Sequence, residues 1–369
     1  MKGRKRVGNG IRSVLIGSGL LFLGAAILFY GAEAAEGIRQ GIRLCLSSVI
    51  PSLYLFLVFA DFLALTDGGT ILFRPFGLLG GLFGVPKGAV PVILLSLIGG
   101  YPVGAKMLAQ KVRRGQLDPR TAERLLCFCV NCSPAFLIAG VGIPYFHSVE
   151  VGCVLWGSQA AAVVVTGLLV RCFWGCGDSN PEEEVPEGKV DYLQGFVSAV
   201  TEAGKSILVI CGFVLVFSVI VGVVKQLPGG ETWAGLLEVT VGCAGLAGRR
   251  GMEKLILAVV YTSFGGVCVW MQAACFLRGT GVRMRKFVFL RGVYVLVSLG
   301  LTILLVRQLR LSAEVFATTG QPLPRTGSAT LGASVLLIVL CLMLLLSERK
   351  RRPHPLSTFP KPSNKSKKP

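Results

Sequence analysis

Charge is scarce in this chain, and histidine is almost absent. Only 15% of the 369 residues are charged, and there are two histidines, His147 and His354. Soluble proteins carry nearer a quarter of charged residues, so a water-soluble globular domain of this length is excluded. Two histidines leave little room for a histidine metal centre. His147 and Ser148 are adjacent, but no third group nearby would orient them, and no other nucleophile-and-base pair stands out. We therefore expect no enzyme, no catalytic residue, no bound metal and no cofactor. Acids are scarce as well: 19 Asp and Glu against 38 Lys and Arg, a net charge of +19. That balance invites a nucleic-acid reading, yet no basic stripe carries the interleaved aromatics such a platform uses. The basic residues sit at the ends of apolar runs and in the C-terminal tail, as the positive-inside rule expects. No nucleic-acid partner is expected.

What the chain has is apolar length. Hydrophobic residues make up 53% of it, and several runs approach the roughly 20 residues that a membrane helix needs. The fold class is an all-α polytopic membrane protein of the cell membrane, with lipid as its surroundings. The first run, Val14 to Tyr30, follows Lys2, Arg4, Lys5, Arg6 and Arg12. A signal peptide starts similarly, and Gly31-Ala32-Glu33-Ala34-Ala35 could pass for a cleavage site, but an uncleaved first helix is favoured. Most of the twelve cysteines lie in or beside apolar runs, where cysteine behaves as a small hydrophobe. Cys127, Cys129 and Cys132 have loosely ligand-like spacing without a fourth ligand. Cys172 and Cys176 could oxidise together if their membrane edge faces outward.

The organisation we read is as follows. Residues 1–40 form a basic segment and first helix, and 41–177 a first membrane repeat. An acidic linker at 178–192 precedes a second repeat at 193–306. A loop and last helix occupy 307–346, and a basic disordered tail 347–369. Helix one ends near Tyr30, a short polar connection with Glu33, Glu36, Arg39 and Arg43 follows, and helix two runs from Leu44 to Leu65. Asp61 near its end is either an interface residue or a buried carboxylate. Asp118-Pro119 starts a helix, with Asp118 as cap. Lys111, Arg113, Arg114, Arg120 and Arg124 crowd a first basic, cytoplasmic loop, and Arg278, Arg283, Arg285, Lys286 and Arg291 mark a second.

The chain is organised around Ser96-Leu97-Ile98-Gly99-Gly100-Tyr101-Pro102-Val103-Gly104-Ala105-Lys106. Gly99-Gly100 loosens the backbone, and Pro102 withholds an N–H and pushes Tyr101 out of the helical region. Such a break in lipid is tolerated only where protein or a water-filled cavity satisfies the freed groups. A broken apolar segment carrying a charge marks a transport site; the plainer alternative is a kinked helix with Lys106 snorkelling to the headgroups. Asn131, Ser133 and Pro134 break a second apolar segment, as ligand groups or as glue between helices. In the second half, Gly265, Gly266 and Gln272 interrupt another. Gly99, Gly100, Tyr101, Pro102, Lys106, Asn131, Ser133, Pro134, Gly265, Gly266 and Gln272 are thus the candidate substrate-binding residues. Asp61, Glu202 and Glu238 are the candidates for proton or cation coupling. The two halves look alike in plan, each with broken or re-entrant helices between long ones. Counting spans with both basic loops inside leaves the halves parallel, a count that turns on whether the broken segments cross or re-enter.

These residues carry a resemblance. Gly99 to Lys106, Glu123-Arg124-Leu125-Leu126, Asn131 to Gly142, Ser263 to Val269 and Gln272 resemble the sporulation integral membrane protein family of the YlbJ type, which carries the nucleoside-recognition, or Gate, domain. The likeness covers about Gly41 to Val306. It implies a membrane protein of endospore-forming bacteria, made in the mother cell, that moves a small metabolite, with dipicolinate the leading cargo. Two departures matter: Trp270 and Gln159 stand where the family is expected to have histidine, so a histidine-based proton step does not carry over. On this reading the partner is a small anionic molecule, with the oligomeric state left open. The alternative is a non-transporting membrane protein that scaffolds spore-envelope assembly.

Overall fold

A computed structural model of the chain describes residues 27–66, 72–175 and 192–309, with a few positions between 17 and 25. About half of the first apolar run lies outside the described residues, as do the acidic linker, the last expected helix and the basic tail. Among the described residues five helices are long and apolar enough to cross a membrane, six if one sharply bent pair is counted as a span. The chain is a multi-pass helical membrane protein.

The first span, α1, is a single helix of 35 residues, Gly31–Leu65, with one π-turn at Cys45–Val49. The polar connection expected between helices one and two is therefore helical. Its charges sit on one face, where Arg39 pairs with Glu36 at 2.8 Å. Ala34, Gly37 and Gly41 are buried on the other. They pack against the long helix α8, Tyr192–Val224. A methyl group at Gly37 would sit 2.5 Å from the Ser218 carbonyl oxygen, so the small-residue spacing lets two backbones touch. Phe62 meets Phe196 edge to face at one end, and Gly222 lies against the Glu33 carbonyl at the other, so α1 and α8 are antiparallel.

After α1 come a short edge helix, α2 (Leu78–Phe83), then α3 (Val90–Gly99) and α4 (Tyr101–Arg113). The chain bends by 106° between the stretches 74–83 and 87–99. It then turns back on itself at Gly100: a methyl at Gly104 would lie 2.9 Å from the Ser96 side chain. The stretch 90–113 is a re-entrant hairpin with Gly100 at its tip. The next segment crosses. It begins as α5 (Pro119–Leu126), opens into extended backbone at Val130 to Ser133, and resumes as α6 (Phe136–Phe146). Asp118 caps α5 as expected, accepting from the N–H groups of Arg120 and Thr121 at 2.8 and 3.0 Å. The long helix α7 (Val149–Trp174) returns.

The second half repeats this order of elements in the opposite direction. After α8, the stretch α9 (Gly230–Leu237) and α10 (Val239–Gly248) forms another hairpin. Gly235 and Gly242 lie back to back within it, and Glu238 is at its tip. Then α11 (Gly251–Phe264) and α12 (Gly266–Phe276) form a crossing helix broken at Gly265, and α13 (Arg285–Gln308) closes the order. Ser158 meets Thr302 at 2.7 Å, and Lys286 stands over the Trp174 ring, so α7 and α13 are also antiparallel. The parallel count from the sequence is corrected here. The hairpins re-enter instead of crossing, and each removes one pass from its half.

Both basic loops meet at one end. Arg113 donates to the Phe276 and Arg278 carbonyls, Arg114 to Ala64 and Arg124 to Gly175. Glu123 accepts from the Arg283 N–H and lies 3.7 Å from Lys286. The residues that the sequence marks as cytoplasmic also cap the open carbonyls of helix C-termini.

Candidate functional site

Four helix breaks converge halfway between the two ends. The tip of the first hairpin, Gly100, sits beside Leu53 and Ser133, where the first crossing helix is open. Tyr101 lies against Gly265 of the second crossing helix, and Gly266 lies against Leu237, Glu238 and Val239 at the tip of the second hairpin. Gly100 has φ +92° and ψ −179°, and Gly265 has φ +81°. Both are conformations that a side chain opposes, so glycine is needed for the breaks to meet.

The breaks surround a cavity of about 60 Å³. Gly100, Tyr101 and Pro102 line it from the first hairpin, Cys132, Ser133 and Phe136 from the first crossing helix, and Glu238, Val239 and Thr240 from the second hairpin. Val269 and Gln272 of α12 and Ser48 and Ser52 of α1 complete it, with Ile210 and Val214 of α8. At roughly 10–15 Å³ per water on this measure, the cavity has room for a few waters and no metabolite. The N-terminal turns of α4, α6 and α12 all begin here. Their exposed N–H groups give the centre a partial positive charge. Ser133 accepts from the Phe136 N–H at 3.2 Å, and the Glu238 carboxylate from the Val241 N–H at 2.6 Å. A cleft of about 750 Å³, lined by Lys225, Arg249, Arg250, Glu231 and Glu253 with α10, opens at the end away from the basic loops.

Of the candidates read from the sequence, Gly100, Tyr101, Pro102, Ser133, Gln272 and Glu238 line the cavity. The others lie outside it. Gly99 packs on Val103, and Gly266 supports the second hairpin tip. Pro134 begins the helical turn after Ser133. Asn131 is buried, donating to Phe128 O at 2.7 Å and to Ser96 Oγ at 3.3 Å, and so ties the first hairpin to the first crossing helix. Lys106 faces away from the cavity and forms a buried ion pair with Asp61 at 2.5 Å, with Gln110 donating to the second Asp61 oxygen at 2.9 Å. Asp61 is thus the buried carboxylate of the two alternatives. Glu202 pairs with Lys205 on the exposed side of α8, and its backbone carbonyl faces Lys106. Ser148, beside His147, caps α7 through the Val151 N–H.

One charged residue is misplaced by the sequence reading. Arg291 is not in a basic loop; it is fully buried on α13. Its Nε donates to the Phe264 carbonyl at 3.2 Å, and its guanidinium lies against the Phe287 and Tyr294 rings. The signal was present, since the apolar run already begins at Phe287. Gln159, in place of an expected histidine, donates to Thr262 at 2.8 Å. Trp270, in the other such place, donates to the Phe264 carbonyl at 3.0 Å.

Comparison with known proteins fits this architecture. The chain is similar to the sporulation integral membrane protein YlbJ of Bacillus subtilis (strain 168). They are 24% identical over 337 residues, which takes in 77% of this chain and 81% of the relative. That likeness supports the resemblance to the YlbJ-type family read from the sequence. No family model matches it, the nucleoside-recognition domain included, and no solved structure does.

Proposed function

We propose that this protein is a carrier, not an enzyme, and that it moves a small planar anion across the cell membrane during sporulation, with dipicolinate as the leading cargo. The observation that carries this reading is the convergence of two hairpin tips and two broken helices on one small cavity, mostly apolar but reached by Ser133, Glu238 and Gln272. Discontinuous helices at mid-depth are where secondary transporters place their substrate. Ser133 and Gln272 supply neutral hydrogen bonds, and the helix N-termini supply partial positive charge. Glu238, and the Asp61 carboxylate beneath the first hairpin, are the groups that a proton or cation would neutralise in coupling. The small cavity corresponds to a closed state, and admitting a metabolite requires one hairpin to move. The part in sporulation comes from the relative's name, and the mother-cell membrane from the family resemblance.

The test is movement of dipicolinate through the purified full chain in liposomes, with nucleosides run beside it. The wild type should move dipicolinate. Gln272→Leu should lower the rate by about tenfold, near the worth of one buried hydrogen bond. Glu238→Gln should remove the dependence on an imposed proton or cation gradient. No movement of either cargo by folded protein would sink the carrier reading and favour the scaffold, whose own mark is loss of function on deleting 349–369.

A further inference from the structure

Arg291 is the charged group that the carrier reading leaves unused. Its Nη1 and Nη2 have no protein partner, although the residue is fully buried, and among the described residues it makes no salt bridge. Every other contact it makes leaves that end of the fork free. Nε is taken by the Phe264 carbonyl at the C-terminus of α11, and the two faces by Phe287 and Tyr294. A buried guanidinium with neither carboxylate nor full hydrogen bonding among the described residues is costly, so packing alone does not account for it.

Its position supplies one. A methyl at Gly265 would meet both Tyr101 Cε1, at 3.1 Å, and Arg291 Nη2, at 3.5 Å. The fork therefore lies close to the Tyr101 ring, and Tyr101 also lines the cavity. The Tyr101 hydroxyl donates to the Thr262 carbonyl. Phe287 and Tyr294 lie against the guanidinium, and Phe287 meets Trp270 edge to face with centroids 5.6 Å apart, Trp270 in turn lying tilted against Phe264 at 4.6 Å. Two parallel N–H donors match a carboxylate, and an aromatic surround favours an aromatic ligand.

We infer that Arg291 is the receptor for a carboxylate of a planar anion, reached from the central cavity when the Tyr101 phenol leaves the Thr262 carbonyl. The inference rests on the carrier reading for the route, but binding can be measured without movement. The purified full chain is titrated with pyridine-2,6-dicarboxylate and with the matched neutral diamide, and thermal unfolding is followed. The diacid should raise the unfolding midpoint of the wild type and the diamide should leave it unchanged. Arg291→Gln should lose the response, and Arg291→Lys, which keeps the charge without the fork, should bind about tenfold more weakly. Equal responses to diacid and diamide, no response of the wild type, or a wild-type response in Arg291→Gln would overturn the inference. If Arg291→Gln does not fold, unchanged affinity in Arg291→Lys overturns it instead. Binding that depends on Arg291 without movement in liposomes keeps the receptor and removes the carrier. Movement that ignores Arg291 does the reverse.

Discussion

At the scale of single residues, the buried pair Asp61–Lys106 shows what a charge in an apolar run means. With Asp61 1% and Lys106 7% exposed at the side chain, neither is tolerable alone. Lys106→Met leaves a buried carboxylate with only Gln110 as partner and should cost about 3–5 kcal/mol of stability. Asp61→Asn with Lys106→Met should recover most of that loss, because an apolar or neutral pair replaces a buried ion pair at little cost. Denaturation of the two singles and the double as a cycle measures this. Equal losses in double and singles would mean that the pair is not the unit. The double variant also separates fold from function. Transport surviving in it would show that the pair holds the first hairpin and does not couple. The sequence left Asp61 open between an interface residue and a buried carboxylate, and Lys106 between a site charge and one snorkelling to the headgroups. Their partnership was not legible there, since 45 residues separate them and only packing brings them together.

At the scale of elements, local chemistry was largely readable. Asp118-Pro119 reads as a helix start and is one. Burial works against its carboxylate, but hydrogen bonds from Thr121 and Arg120 and the nearby Arg124 hold its carboxyl below the usual range. Asp118→Ala should cost about 1 kcal/mol at neutral pH. A carboxyl held low stabilises fully above its unfolded value, about 3.9, and loses that contribution as pH falls through its folded value. The difference between wild type and variant should therefore shrink in acid, and melting curves across pH check the sign. The Gly99-Gly100 break was also readable, but not its direction. Gly100 occupies a backbone region that is essentially glycine's own, with Leu53 and Ser133 3.3 and 3.4 Å from where a methyl would lie. Gly100→Ala should cost about 1–3 kcal/mol, seen as a lower melting midpoint. A neutral outcome would mean that the tip relaxes freely. The polar stretch Glu33 to Arg43 was misread as a connection because its charges were counted and its small residues were not. Gly37 and Gly41 make it a packing face.

At the scale of the whole molecule, the antiparallel pairing of α1 with α8 and of α7 with α13 sends the two halves through the membrane in opposite senses. Each half brings one hairpin to the centre, from opposite ends. This predicts a topology. In a background without the exposed native cysteines, Gln116→Cys near the basic end and Ala247→Cys near the open cleft should react with a membrane-impermeant maleimide from opposite sides. The positive-inside rule places Gln116 in the cytoplasm. Labelling of both from one side would break the arrangement.

Composition and pattern alone determined the membrane class, the helical content, the gathering of the basic loops at one end and the places where helices break. These follow from the cost of exposing backbone or charge to lipid, which acts residue by residue along the chain. Tertiary structure decided which broken segments turn back and which cross, that Lys106 answers Asp61, and that Arg291 stands buried without a carboxylate among the described residues. Those depend on contacts between residues far apart in sequence, where a glycine or a free guanidinium gains its meaning only from what is packed against it.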